Sequence, residues 1–379
     1  MASSSSQVGL GIIGCGQISA HHIRETRADK RLRWVAACDI NAEALKARAE
    51  EFGIPGRYTK IDDLLADPAV DAVVIATPPP LHAGPTVAAL KAGKHVLVEK
   101  PVAIDAAEVR QMIAARRAGL VAACCSSRFR STATARRVTQ MVAAKELGAV
   151  CRLVCTALGP PPQKLDGPGP LYLYRPNWGR LGVLGDWGCY DLDFLLGVCG
   201  WALKPEAVLA DVRKLPKVYA EKHPPRNDVE VQFSAKFRLD GVFADRQAGM
   251  AGIKACRLCR PIGKNISGVT FDFRRANYFA GEARNEWLIE CENGTIDVSM
   301  LPKKPQIIVR RYTASGVEST VALEGPDTWS TILGGPVLDF VGAILEGRPA
   351  LTGLEESLIV QRMTDAVYVS AESGKAVAV

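Results

Sequence analysis

No apolar run in this 379-residue sequence reaches the ~20 residues a membrane helix needs; the longest, Phe194–Leu203 and Val70–Thr77, fall far short. A soluble protein with no membrane partner is expected. Charge of one sign is not in large surplus either: 47 Lys and Arg stand against 40 Asp and Glu, a net +7. The excess is spread along the chain, which argues against a nucleic-acid binder. Its densest stretch, Arg128, Arg130, Arg136 and Arg137, is broken by Ser and Thr and reads as a solvated helix face, with a ligand contact as the rival. A second CxxC is lacking. Cys256 and Cys259 form one pair among 11 scattered cysteines, too few ligands for structural zinc, so no metal is expected. Met1–Gln7 is a serine-rich lead without the apolar centre of a secretory signal; it is read as flexible, and the protein as cytoplasmic with reduced thiols. With 48% hydrophobic and 23% charged residues, wholesale disorder is excluded as well.

Between Val8 and Gly148, short apolar runs alternate with amphipathic stretches. Val8–Ile13, Leu32–Cys38, Ala72–Ala76, His95–Val98 and Leu120–Cys124 read as buried strands. Ile18–Asp29, Ala42–Phe52, Leu81–Ala92, Ala106–Ala118 and Thr132–Leu147 have helical spacing, with Asp105 and Glu108 placed as a capping box. This alternation predicts a parallel sheet covered on both faces. Beyond Gly148 the texture changes to a strand at Val150–Leu158, a Gly/Pro-rich loop to Pro176, and a helix over Val183–Val198. Short alternating runs follow: Val229–Leu239, Val242–Ala248, Val269–Arg274, Trp287–Glu292 and Ile307–Tyr312. They predict an antiparallel sheet. Helices over Val337–Glu346 and Glu355–Ser373 close the chain. The expected division is a lead (1–7), a dinucleotide-binding domain (8–148) and an α+β domain (149–379).

The first strand runs into Gly14-Cys15-Gly16-Gln17-Ile18-Ser19. A GxGxxG-like turn carries weight when it follows a strand and opens a helix. Gly14 makes the tight turn, Gly16 lets a pyrophosphate approach the backbone, and Ser19 is small enough for helix–strand packing. The phosphates then lie at the helix N-terminus, at Gln17 and Ile18. Asp39 ends the second strand 23 residues after Gly16, where a carboxylate binds both ribose hydroxyls and repels a 2′-phosphate. With no arginine adjacent in sequence, NAD is expected over NADP. Thr77, Pro78 and His82 follow the third strand, at the sheet end where such folds bind ligands. The fourth strand ends in Glu99-Lys100-Pro101, which places an amine at the mouth of a buried strand. Beside oxidised nicotinamide, burial and positive charge lower the lysine pKa into the range useful for proton transfer.

Taken together these residues resemble the Gfo/Idh/MocA family, relatives of glucose–fructose oxidoreductase and inositol dehydrogenase. Asp186-x-Gly188-x-Tyr190-x-x-Asp193 and the tail through Leu338-Asp339-Phe340 and Ser370–Gly374 extend the likeness over nearly the whole chain. The resemblance implies an α/β Rossmann domain and an α+β domain with a large open-faced, mainly antiparallel sheet. It also implies a homodimer or homotetramer and a nicotinamide-dependent reaction on a sugar, sugar derivative or cyclitol. Lys100, Tyr190 and Asp186 are its implied catalytic residues, with Glu99 and His82 at the coenzyme. Arg128 and Trp178 are expected on the substrate side, and Tyr172 and Tyr174 share the loop of Trp178.

Two departures qualify the resemblance. Tyr190 stands where most dehydrogenases of the family have a histidine base; a phenol, with an ordinary pKa near ~10, needs a cation such as Lys100 to serve. Gly179-Arg180-Leu181-Gly182 replaces a run of glycines, so substrate identity does not carry over. Bland accounts compete: Asp186 as a helix cap, Tyr190 as an interior aromatic. Two other functions also compete, a redox-assisted glycoside-cleaving enzyme that retains its NAD, and a catalytically inactive nicotinamide-binding regulator.

Overall fold

Val8–Ile13 (β1) is apolar throughout and buried throughout, as a strand must be when helices cover both faces of its sheet. The computed structural model describes residues 7–161, 182–220, 230–241 and 268–379. After β1 come α1 (Gln17–Thr26), β2 (Leu32–Cys38), α2 (Ala42–Phe52), β3 (Gly56–Tyr58), α3 (Ile61–Ala66) and β4 (Ala72–Ile75). Then follow α4 (Ala83–Lys91), β5 (His95–Val98), α5 (Ala106–Ala115), β6 (Ala122–Cys124), α6 (Ala133–Ala143) and β7 (Val150–Leu158). A π-helical turn (Leu184–Gly188) runs into α7 (Cys189–Val198), and β8 (Leu203–Lys214), α8 (Lys217–Ala220) and β9 (Glu230–Gly241) come next. The remainder is β10 (Val269–Ala276), β11 (Arg284–Cys291), β12 (Gly294–Val298), β13 (Ile307–Thr313), β14 (Gly316–Leu323), α9 (Trp329–Glu346), α10 (Leu354–Ser373) and β15 (Val377–Ala378).

The chain divides into two compact units, residues 1–131 with 328–361, and residues 132–327 with 362–379. The first holds a six-stranded parallel sheet in the order β3-β2-β1-β4-β5-β6. Strand order reverses between β1 and β4, which opens a crevice at their carboxyl ends. Alternate residues feed two cores. Val73, Ile75, Val96 and Val98 face Leu90, Val109 and Met112 on one side. Leu10, Ile12, Val74 and Leu97 face Ile23, Phe340 and Val341 on the other. The last helix pair starts earlier than the sequence suggests: α9 begins at Trp329, capped by Thr328, and carries Pro336 inside it rather than starting after it. A Cβ on Gly335 would stand 1.7 Å from Ser131 Oγ, so glycine there is what lets α9 lie close against its neighbour.

The second unit holds a nine-stranded sheet, β14-β13-β12-β11-β7-β10-β9-β8-β15. It is mixed rather than purely antiparallel, because β10 pairs parallel with β7. One face is a buried aromatic layer in which Phe233 meets Phe273 edge-on at 4.7 Å and Phe271 stacks on Phe273 at 5.2 Å. The other carries ion pairs among Arg152, Asp272, Lys236 and Glu290. The strand expected over residues 242–248 lies outside the described residues. Among the described residues no helix is long and apolar enough to cross a membrane.

Candidate active site

The glycine turn is built by close approach. Gly14 has φ +99°, and a Cβ there would meet Ala76 C and O at 2.7 Å and Thr77 N at 2.9 Å. Only glycine holds β1 that tightly against the end of β4. Gly16 is the opposite case, since nothing lies within 4 Å of where its Cβ would be. It stands at the N-cap of α1, where no side chain caps the free N–H groups. Ser19 is fully buried, as a small third residue should be. Asp39 accepts from the Cys15 N–H at 2.7 Å through one carboxylate oxygen and from the Asn41 N–H at 2.8 Å through the other, which fixes its orientation at the end of β2. An open cradle, uncapped helix N–H groups and an anchored carboxylate fit a dinucleotide's pyrophosphate and ribose.

Arg48 was not anticipated. From α2 it donates to Gly16 O at 3.0 Å and Ser19 Oγ at 3.1 Å, and it pairs with Glu51. The absence of an arginine next to Asp39 in sequence therefore does not keep arginine away from the glycine turn. Two helical turns of α2 bring it there.

Beyond β5 the Glu99 carboxylate is buried. One oxygen takes Arg128 Nη2 at 2.7 Å and His22 Nε2 at 2.8 Å, while the other accepts the Lys100 N–H at 2.8 Å. Burial pushes the Glu99 carboxyl up, but Arg128, then His22 and Lys100, outweigh it and hold the carboxyl well below its usual range. Burial likewise pushes the nearby Cys125 thiol well up, so it stays a thiol. His22, Glu99 and Cys125 present their polar atoms within 4.8 Å of one another, yet the cation this carboxylate already holds is the Arg128 guanidinium. His82 is fully buried too, with Nε2 2.8 Å from Thr77 O and Nδ1 2.8 Å from Pro101 O. Burial lowers its pKa against the pull of those carbonyls.

These contacts give three of the expected site residues a bracing role. His82 ties the loop after β4 to the loop after β5, and Glu99 holds the backbone of Lys100. Arg128, expected on a solvated helix face or at the substrate, is 8% exposed and holds Glu99. All three brace the Lys100 loop with their polar groups.

In the second unit Asp186 and Tyr190 lie four residues apart, Asp186 in the π turn and Tyr190 at the start of α7. A π turn widens the helix locally and is frequent at functional sites. Tyr190 is buried, edge-on to Trp187 at 5.7 Å, and the Arg275 guanidinium covers Trp187 at 5.2 Å. Asp191 anchors this stretch. Its carboxylate takes Arg275 at 2.7 and 2.9 Å and Trp287 Nε1 at 2.9 Å. Trp178, Tyr172, Tyr174, Cys256 and Cys259 lie outside the described residues.

Comparison with known proteins agrees with the fold. A family model described as "Oxidoreductase family, NAD-binding Rossmann fold" matches residues 8–123, and the "GFO/IDH/MocA C-terminal domain" matches residues 135–255. The chain is 35% identical over 187 residues to 1,5-anhydro-D-fructose reductase of Ensifer adhaerens, a stretch that is 49% of this chain and 54% of that protein. It is 36% identical over 107 residues to inositol 2-dehydrogenase of Salmonella paratyphi B, or 28% of this chain and 32% of that protein. The chain thus spans about half the length, or less, of these curated relatives. Among solved structures, an NAD-binding oxidoreductase from Klebsiella pneumoniae matches with TM-score 0.81 at 21% identity, over 99% of both chains. An aldose–aldose oxidoreductase from Caulobacter crescentus matches with TM-score 0.76 at 23% identity, over 98% of this chain and 100% of that one; both likenesses show the fold. The two family models together cover more than half of the sequence, and the chain belongs to the Gfo/Idh/MocA oxidoreductase family, with an NAD-binding Rossmann fold.

Proposed function

We propose that this protein is an NAD-dependent oxidoreductase that moves a hydride between nicotinamide and a secondary hydroxyl of a sugar, sugar derivative or cyclitol. The observation that carries the reading is the brace on Lys100, whose backbone is held by Glu99, itself held by Arg128 and His22 at the carboxyl end of β5. A lysine whose main chain is fixed by a buried, ion-paired carboxylate offers its amine from a set starting point, which suits proton transfer better than mere solubility. Bound nicotinamide supplies the hydride acceptor, and the chain manages the proton. Tyr190 and Lys100 take the proton of the reacting hydroxyl, and Asp186 accepts from a neighbouring hydroxyl to orient the ring. NAD is favoured over NADP because Asp39, fixed by the Cys15 and Asn41 N–H groups, sets a negative charge where a 2′-phosphate would lie. The names of the reductase and the inositol dehydrogenase support a polyol substrate. A homodimer or homotetramer is part of the same reading.

The test is to incubate the protein with NAD and a panel of sugars, cyclitols and dihydrodiols and to follow NADH absorbance. Net NADH with at least one of them is expected. Lys100→Ala should lower kcat by roughly 10²–10⁴-fold, the usual share of acid–base catalysis, with NADH affinity little changed. Undiminished turnover by that variant, or silence across the panel, overturns the proposal.

A further inference from the structure

The segment that carries Asp186 and Tyr190 begins without a cap of its own. A helix start leaves N–H groups free, and a local Ser, Thr, Asp or Asn usually takes one. Here the N-cap position is Val183. The cap comes instead from Glu230, the first residue of β9, whose Oε2 accepts the Gly182 N–H at 3.1 Å and whose Oε1 accepts the Leu184 N–H at 2.8 Å. The approach leaves no room to spare: a Cβ on Gly182 would stand 2.0 Å from Glu230 O and 2.3 Å from Oε2. Gly182 in turn accepts the Asp186 N–H at 3.0 Å, so the residue that the carboxylate grips closes the turn of Asp186.

We propose that Glu230 is a positioning residue for Asp186 and Tyr190, its carboxylate setting the pitch at which their helical segment starts. The inference rests on the reading of those two residues given above.

Glu230 is 3% exposed. Burial pushes its carboxyl up to about 7, although the Leu184 and Gly182 N–H groups and Tyr368 pull the other way. An ionised carboxylate draws the N–H groups of the helix start more strongly than the neutral acid does, so the grip tightens as pH rises through neutrality. Among the described residues, the following titratable and charged groups lie on the elements packed around it. Tyr368 on α10 is pushed well above its ordinary value, by burial first and then by Glu230, so the phenol stays neutral in this range. Asp365 lies on α10 as well, Lys214 is the register partner of Glu230 on β8 but is exposed, and Arg275 of β10 is tied to Asp191. Asp186, Asp191 and Asp193 lie on the segment that Glu230 caps. The described residues of this unit include no histidine; His223 of the sequence lies outside them.

Trp187, inside the π turn, is the reporter. Its signal is the difference in fluorescence and near-ultraviolet dichroism between the wild-type protein and Trp187→Phe, taken from pH 5.5 to 8.5 without substrate. The expected result is a transition near pH 7 that persists in His223→Gln and vanishes in Glu230→Gln. With a substrate from the polyol panel, Glu230→Gln should lose roughly tenfold in kcat at pH 8, the worth of one cap, and lose the rise through pH 7, while the coenzyme KM holds. A flat wild-type trace overturns the proposal even if Glu230→Gln does not fold, and so does a transition that survives the substitution. The optical titration needs no turnover, so a failed polyol panel strikes at the proposed reaction and leaves the Glu230 test standing.

Discussion

Arg128 Nη2 and His22 Nε2 share one oxygen of Glu99, at 2.7 and 2.8 Å, and neither Glu99 nor Arg128 is more than 8% exposed. The remaining oxygen carries the Lys100 N–H. Burying such a pair gains little net stability, because desolvation offsets the attraction, but removing one partner strands a charge away from water. What the arrangement secures is the position of a backbone, and through it the base of the Lys100 side chain.

Glu99→Gln is therefore expected to cost about 3–5 kcal/mol in urea denaturation, the usual penalty of breaking a buried ion pair from one side. Adding Arg128→Met should restore much of that loss, since the pair leaves together. The pH dependence has a definite sign. The folded carboxyl lies below its ordinary value of 4.5, so its contribution is complete above that value and is lost as pH falls through the acid range. Wild-type stability should drop more steeply below pH 4.5 than that of Glu99→Gln. Equal slopes would mean that Glu99 is not held ionised by its partners.

Asp39 offers a second measurement. A hydrogen bond to a charged group contributes about 1.5–3 kcal/mol, so Asp39→Asn should weaken NADH binding roughly tenfold to a hundredfold. NADPH binding should weaken far less, because the charge that repels its 2′-phosphate is gone. Arg48→Ala separates the glycine turn from this effect. It removes the donor to Gly16 O and Ser19 Oγ and should weaken both coenzymes alike. Fluorescence titration with each coenzyme decides, and a parallel loss in Asp39→Asn would remove the case for NAD preference.

Much of the first unit is legible because its signals are local. β1, β2 and β5 fall on the residues their apolar runs mark, and Asp105 caps α5 as its spacing with Glu108 suggests. Even there Glu108 reaches back to the Ile104 N–H rather than to that of its cap. Gly14 and Gly16 are visible for the same reason, as a turn between a strand and a helix. What sequence does not show is work done across long separations. Arg128 reads as surface charge until Glu99 is seen beside it, 29 residues away. Glu230 has no local signal at all, because its partners Gly182 and Leu184 lie 48 and 46 residues earlier. The early start of α9 is hidden by Pro336, a residue that argues against a helix interior unless packing overrides it.

The two loop glycines should fail in different ways. At Gly14 an alanine meets both a positive φ of +99° and main-chain atoms of Ala76 at 2.7 Å, which cannot swing aside as a side chain would. Gly14→Ala should thus lose about 1–3 kcal/mol of stability or more from backbone strain alone, along with coenzyme binding. At Gly16 the backbone is ordinary, with φ −72°, and the added methyl enters space that no protein atom comes within 4 Å of. Gly16→Ala should leave urea stability unchanged yet weaken NADH at least about tenfold, since the methyl fills the cradle through which a pyrophosphate reaches the α1 N–H groups. Stability is read by denaturation and affinity by NADH fluorescence on the same preparations. If Gly16→Ala bound NADH as tightly as the wild-type protein, the pyrophosphate would not lie in that cradle, and the placement of the coenzyme along α1 would have to be given up.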